Sequence, residues 1–383
     1  MKKTKKIICL ALVMLMVLSL AACGKTEEKG GELKPVEGGM FVYAIEEPIT
    51  SLNYYNNSST DLGLQVFKNI YDPLWYANAD GTPDYRLAKS VEISEDGTTY
   101  TVTLRDDITW SDGKKITVDD LMFTLDILVK TTIMPSTSSA YKVDGTFCEY
   151  KKESDTVATI TVGRGSNLFK KALGGLFLLP AHCFEGVALE DILTCKENDT
   201  IATSGAYKVD SFSVGEKIVC VKRDDYYRRK SHIDGFEVRV IGNAGTQEIA
   251  FQNGELALFT ISNAETLATY KNDSNYKIVS YPDGRITFLE INPNAEATAT
   301  LEMRQAIISA LNIDELVYGT YGDAALCDSA NSILSKVSMF YDPSVKNYTQ
   351  DIEKAKKLIE ETGIKDKEIT IIYNSARVGQ EEL

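Results

Sequence analysis

The stretch Trp110-Ser111-Asp112-Gly113-Lys114-Lys115-Ile116-Thr117-Val118-Asp119-Asp120-Leu121 decides how this chain is built. Asp112-Gly113 predicts a tight turn, because glycine takes the positive φ that such turns demand. Thr117 and Asp120 have capping-box spacing, in which a hydroxyl and a carboxylate satisfy the first free N–H groups of a helix. Leu121, Leu125 and Leu128 then share one face of that helix. Upstream, Val91 and Ile93 alternate with polar residues, Asp96-Gly97 supplies a turn, and Tyr100, Val102 and Leu104 alternate back, which predicts a hairpin over 91–104. A strand at 40–45 breaks at Glu46-Glu47-Pro48, where proline removes a ladder donor. Leu62, Val66 and Ile70 follow helical spacing until Asp72-Pro73.

Downstream the pattern stays mixed. It predicts a strand at 156–162, a helix at 168–173, a hairpin joining 206–212 to 217–223 across Gly215, and strands at 236–241 and 286–291. Helices are expected around 247–252, at 301–311, and at 352–362, where Gly363 closes the last. The apolar run 369–373 predicts a strand at 368–374 buried on both faces, and so near the end of the sequence it suggests a chain that stops inside a domain. Strands and helices intersperse without a βαβ period, so the class is mixed α/β.

Composition narrows the function. The 383 residues are 44% apolar and 25% charged, enough for two or three packed units. Asp and Glu number 55 against 41 Lys and Arg, for a net charge of −14. Four of those lysines, Lys2, Lys3, Lys5 and Lys6, sit in a leader whose removal makes the charge more negative still. Such a field repels phosphate polymers, which argues against nucleic acid as a partner. The only two histidines, His182 and His232, lie far apart, leaving little for a metal site or a histidine relay, and neither metal nor cofactor is expected. There is no Gly-x-Ser-x-Gly elbow, Walker loop, His-Glu-x-x-His or Cys-x-x-Cys. Gly163-Arg164-Gly165 lacks the third glycine of a dinucleotide fingerprint and reads as a turn. The doublets Asp106-Asp107, Asp119-Asp120 and Asp224-Asp225 are sequence neighbours that point apart, unlike the facing carboxyls of a glycosidase, so no catalytic residue is assigned. Twenty Tyr and two Trp supply flat groups with polar tips; Trp75 and Trp110, at the ends of regular elements, either pack over a core or touch a ligand.

The N-terminus reads as an export signal: the four lysines, an uncharged run from 7 to 20, then small residues. Leu20-Ala21-Ala22-Cys23-Gly24 resembles a bacterial lipobox, making 1–22 a lipoprotein signal peptide and Cys23 the lipidated first residue of the mature chain. Residues 23–37, rich in Gly, Glu and Lys, read as a flexible tether. Of the other cysteines, Cys220 reads as a small buried hydrophobe, and an exported protein permits a disulfide between Cys183 and Cys195.

Several segments together resemble the extracellular solute-binding proteins, family 5, of peptide and nickel ABC importers. Ser51-Leu52-Asn53 looks like the family's Ser-Leu-Asp-Pro, with Asn53-Tyr54 replacing Asp-Pro. Ile70-Tyr71-Asp72-Pro73-Leu74, Leu87-Ala88-Lys89-Ser90, the 94–105 hairpin and Trp110-Ser111-Asp112-Gly113 with Thr117 to Leu121 follow its pattern in order. Thr203-Ser204-Gly205-Ala206-Tyr207, Arg223-Asp224-Asp225-Tyr226-Tyr227, Met303-Arg304-Gln305-Ala306-Ile307 and Glu353 to Ile359 continue it. The resemblance implies a periplasmic-binding-protein-like, two-lobe α/β fold (type II, cluster C) with an extra subdomain. Lobe I would comprise 38–57 and 201–290, the extra subdomain 58–200, and a partial lobe II 291–383.

It further implies a monomeric, lipid-anchored binding protein on the outer face of a bacterial membrane, of Gram-positive type, that hands a solute to ABC permease subunits. Two lobes closing on a ligand select the closed state through contacts made by both, and exposed strand edges hydrogen-bond a peptide main chain. The loop leaving the first strand supplies the candidate residues Glu46, Glu47, Ile49, Thr50, Ser51 and Asn53. Glu46 or Glu47 either meets a cationic ligand group or forms a solvated pair. Trp110 is a further candidate, Arg285 a candidate for a carboxylate, and Asn292 a hinge neighbour. Oligopeptides or dipeptides are the expected cargo. A nickel chelate or other small solute is the alternative within the fold, and a secreted acid-pair hydrolase the alternative outside it.

Overall fold

Alternating β-branched and aromatic residues set two four-stranded sheets, and the chain visits the first, leaves to build the second, and returns. The computed structural model describes residues 35–56, 61–78, 81–282, 284–338, 340–363 and 368–373. The signal segment, Cys23 and the tether up to residue 34 lie outside them. In chain order the strands of the two four-stranded sheets are β1 (Met40–Ile45), β2 (Ala88–Ile93), β3 (Thr99–Leu104), β4 (Glu149–Lys152), β5 (Val157–Thr161), β6 (Tyr207–Ser213), β7 (Lys217–Lys222) and β8 (Gly235–Val240). The main described helices are α1 (Asp61–Ile70), α2 (Val118–Lys130), α3 (Asn167–Gly174), α4 (Ala244–Gln252), α5 (Ala264–Lys271), α6 (Leu301–Ala310), α7 (Ile313–Tyr321) and α8 (Ile352–Thr362).

The first sheet has the order β1-β8-β7-β6. β6 and β7 form a hairpin whose turn needs Gly215 at φ +73. β1 pairs with β8 in parallel, Met40 opposite Gly235 and Ile45 opposite Val240. A parallel pair cannot close through a hairpin, so the long excursion between β1 and β8 is where the second sheet is made. Ile218, Cys220, Phe236 and Val238 are buried, so Cys220 serves as a small apolar filler as its alternating run predicts.

The second sheet has the order β2-β3-β5-β4. β2 and β3 form the expected hairpin, with Gly97 at φ +72 and Ile93 opposite Tyr100. On the helix beside it, Thr117 caps α2: its Oγ1 accepts from the N–H of Asp119 at 3.2 Å, and the N–H of Thr117 donates to Asp120 Oδ2 at 2.9 Å. Leu121, Leu125 and Leu128 are fully buried on one face of α2. Each such burial contributes about 2 kcal/mol before entropy is counted. Late in the chain α6 packs on α8 through buried Met303, Ala306 and Ala355.

Three expectations are corrected. Residues 286–291 form no strand, and Phe288 and Leu289 are exposed. Residues 368–373 likewise form no strand, and Ile372 is 92% exposed, the reverse of burial on both faces. Apolar alternation supplies faces but no ladder, and among the described residues neither segment has a neighbouring strand. Cys183 and Cys195 are both free thiols, so the permitted disulfide is not made. Helices α5 and α7 escape the periodicity reading because they are short, yet each begins on an Asn cap, Asn263 accepting from Thr266 N at 2.8 Å and Asn312 from Glu315 N at 3.2 Å.

Candidate functional site

β1 and β8 run parallel, so both deliver their C-terminal ends to one side of the sheet. In open α/β sheets ligands settle in the crevice outside such ends, where loops diverge and main-chain groups are left unpaired. The loop 46–53 leaves β1 there, and 241–243 leaves β8 beside it, tied by a bond from Ile241 N–H to the Ile45 carbonyl at 2.8 Å. A side chain at Gly242 would touch the Glu46 carbonyl oxygen at 3.7 Å, so the two exits lie against each other. On its other edge β1 meets Leu258 in a parallel bridge to Tyr43, and Ala257 N–H donates to the Val42 carbonyl at 2.7 Å. Asn243 closes the site with a helix start: its Oδ1 accepts from Thr246 N–H at 3.0 Å and opens α4.

The far half of the loop is fixed. Gly215 N–H donates to the Ile49 carbonyl at 2.9 Å, and Leu52 N–H to the Asn198 carbonyl at 3.1 Å. Asn53 donates from Nδ2 to Asn198 Oδ1 at 2.9 Å while its Oδ1 accepts from Tyr55 N–H at 3.0 Å. Ser51 Oγ accepts from Asn53 N–H at 3.0 Å. Tyr71 OH donates to the Leu52 carbonyl at 3.0 Å.

This sorts the candidate residues. Glu46 and Glu47 are half-buried on the open half of the loop, and Thr50 is exposed on its fixed half. Ile49, Ser51 and Asn53 are buried, and the side chains of Ser51 and Asn53 hydrogen-bond within the scaffold. Trp110 is fully buried beneath the Asp112-Gly113 turn, its main-chain N–H donating to the Lys114 carbonyl at 2.8 Å. Trp75 is also buried, its indole 2.4 Å from where a side chain at Gly174 would begin. Arg285 and Asn292 are exposed on the segment after α5. Asn292 organises a turn, its Oδ1 accepting from Asn294 N–H at 2.9 Å and its carbonyl from Thr298 Oγ1 at 2.5 Å. Sequence reading missed Gly242 and Asn243, whose only signal is an Asn before a helix and a Gly before that.

Several of the segments that carried the resemblance join the two four-stranded sheets. Asp72, buried, accepts from Tyr226 OH and Tyr227 OH, both at 2.8 Å. Burial pushes its carboxyl up, and those two phenols and Arg86 pull it back. Arg223 is buried and donates to the carbonyls of Thr109 and Trp110 at 3.0 and 3.2 Å. These residues hold the fold and leave the loop exits free.

Residues 82–383 match the family described as bacterial extracellular solute-binding proteins, family 5, in its middle region. The chain belongs to this family. As a family 5 solute-binding protein it is a binding protein and not an enzyme. It is 25% identical over 378 residues to the oligopeptide-binding protein AppA of Bacillus subtilis, covering 96% of this chain and 68% of that one. The crystal structure of the ABC transporter substrate-binding protein CtaP of Listeria monocytogenes superposes with a TM-score of 0.75 at 31% identity, over 86% of this chain and 66% of that one. The AppA structure from Clostridium difficile gives 0.78 at 28% identity, over 90% and 70%. The family 5 chain thus spans about two thirds of the length of these relatives. Its fold is the two-lobed, mixed α/β fold of that family.

Proposed function

We propose that this family 5 chain captures oligopeptides or dipeptides outside the cell and passes them unchanged to an ABC permease. The observation that carries this is the paired exit of β1 and β8, where Glu46, Glu47 and Thr50 remain accessible beside the main chain of 241–243. Strand ends and loops of this kind offer main-chain donors and acceptors, which recognise a peptide backbone whatever its side chains. The two carboxylates at 46 and 47 suit the cationic N-terminus of a peptide. The relatives named as oligopeptide- and dipeptide-binding proteins support the same cargo. Lobe I is assigned to 38–57 and 201–290, the extra subdomain to 58–200, and part of lobe II to 291–383. Residues 1–22 act as the signal, 23–37 as the tether, and Cys23 carries the lipid that holds a monomer at the membrane of a Gram-positive cell.

Both tryptophans are buried, so calorimetry reports binding better than their fluorescence. The purified chain is titrated with dipeptides and longer peptides, and the mixtures are analysed by mass spectrometry. Saturable binding, peptides recovered intact, and weaker binding by Glu46→Gln or Glu47→Gln are expected. Binding of no peptide, or cleaved peptide in the mixture, overturns the proposal. For the anchor, labelled palmitate enters the expressed chain and is lost in Cys23→Ser; labelling that survives the substitution removes Cys23 from that role.

A further inference from the structure

Away from the loop at β1, the turn that opens α2 meets the short helical turn Ala181–Phe184, and three potential metal ligands converge there. The ligand atoms of Asp112, His182 and Cys183 all lie within 4.8 Å of one another. His182 Nε2 and Asp112 Oδ2 are 2.8 Å apart, and Asp112 Oδ1 is held by the N–H of Lys114 at 3.1 Å. A tetrahedral ion with bonds near 2.0–2.3 Å sets its ligand atoms roughly 3.3–3.8 Å apart, so each pair needs to move by about 1 Å or less.

We propose that Asp112, His182 and Cys183 form a Zn²⁺ site on the segment between the two halves of the first sheet. One thiolate, one imidazole and one carboxylate are the mixed donor set that suits this borderline ion, with a water completing the tetrahedron. On binding, the Cys183 thiol gives its proton to solvent, the His182 Nε2–H that donates to Asp112 gives its proton to solvent while Nδ1 takes one up, and the thiolate, the freed Nε2 lone pair and the Asp112 carboxylate each bond the ion. The surroundings fit. A surface depression of about 330 Å³, lined by His182 and Ala181 and not by Asp112 or Cys183, opens beside the site. Burial pushes the Cys183 thiol up, the main-chain N–H of Ala202 favours the thiolate, and the Asp112 charge opposes it. A divalent cation between them turns that last repulsion into shared attraction. Lys114 and Lys115 line the same depression, and the anionic Asp112 and Cys183 ligands offset their charge. Asp120 fixes the second half of the site, its Oδ1 accepting from Ala181 N–H at 3.0 Å. The bound ion would staple segments 70 positions apart.

The full chain, reduced and stripped by chelator, is titrated with Co²⁺ and then with Zn²⁺. A single equivalent of Co²⁺ is expected to give near-ultraviolet thiolate charge-transfer absorption, which Zn²⁺ abolishes. Cys183→Ser removes the band, Cys327→Ser retains it, and Asp112→Asn and His182→Gln, which keep the thiol, each weaken Zn²⁺ by about tenfold or more. The proposal is overturned by the absence of a band, by a band that survives Cys183→Ser, or by Zn²⁺ affinity unchanged in His182→Gln. An ion displaced by added peptide is also against it, because that places the metal in the solute site.

Discussion

Arg223 has a side chain 2% exposed, and its guanidinium donates to Thr109 and Trp110 in one direction, to the Thr203 and Gly205 carbonyls at 3.4 Å in another, and to Asp225 Oδ2 at 3.0 Å. A planar fork with five donors can satisfy three chain segments at once, and a point charge cannot. Arg223→Ala therefore leaves buried carbonyls unpaired and is expected to cost about 1–3 kcal/mol, read as a lower urea midpoint at constant slope. Arg223→Lys recovers only part of this. A variant as stable as the parent removes Arg223 from its role as the joint. Beside it, Gly205 is fixed by space: a side chain there would begin 2.5 Å from the Ile70 carbonyl carbon. Sequence reading recognised both positions as pattern, and only the contacts show that they bind one sheet to the other.

At the scale of elements, the β2–β3 hairpin owes its turn to Asp96. The Ser94 hydroxyl, the Thr98 N–H and the Thr98 hydroxyl all donate to its Oδ1, at 2.6, 3.0 and 2.8 Å, and hold the carboxyl down at about 2. A folded value below the unfolded one, about 3.9, means that the stabilisation is complete above about 3.9 and is lost as pH falls through about 2. Asp96→Ala is expected to lower the urea midpoint near neutrality, with a gap to the parent that closes between about pH 4 and pH 2; a pH-independent gap argues against the carboxylate. At the cap of α2, Thr117→Ala is expected to cost about 1 kcal/mol, measured in the same urea titration. Its hydroxyl accepts from Asp119 N–H, whose charge also suits the helix N-terminus. The hairpin and the capped helix were legible because a Gly at positive φ and a Thr–Asp spacing are local rules. The strands expected at 286–291 and 368–374 were not, because a ladder depends on a partner elsewhere. Hydrogen exchange is expected to be fast at 286–291 and 368–373 and slowest in β7 and β8, where Val238 and Ile218 are fully buried. Slow exchange in the two exposed segments would contradict their description as unpaired.

Over the whole molecule, a ligand that binds only the folded chain must raise its stability by mass action. Peptide at a hundred times its dissociation constant is expected to add about 2.7 kcal/mol, seen as a concentration-dependent thermal midpoint. A midpoint indifferent to every peptide that calorimetry finds bound would mean that the unfolded chain binds equally well. The site itself shows where sequence reading reaches its limit. The loop after β1 was identified because Pro48 breaks a strand, yet Ile49, Ser51 and Asn53 turned out buried, since Asn198 supplies partners from 145 positions away. The partner exit at Gly242 and Asn243 was invisible because nothing local announces that β8 lies parallel to β1. Likewise Asp112 and His182, 70 positions apart, show no ligand spacing in the sequence. The amino-acid order alone determined the α/β class, the hairpins, the Thr117 cap and the family pattern, because turn chemistry and hydrophobic period act between near neighbours. The tertiary structure alone decided which polar groups are consumed by the scaffold and which remain at the open end of the sheet, because that depends on contacts between segments that only the folded chain brings together.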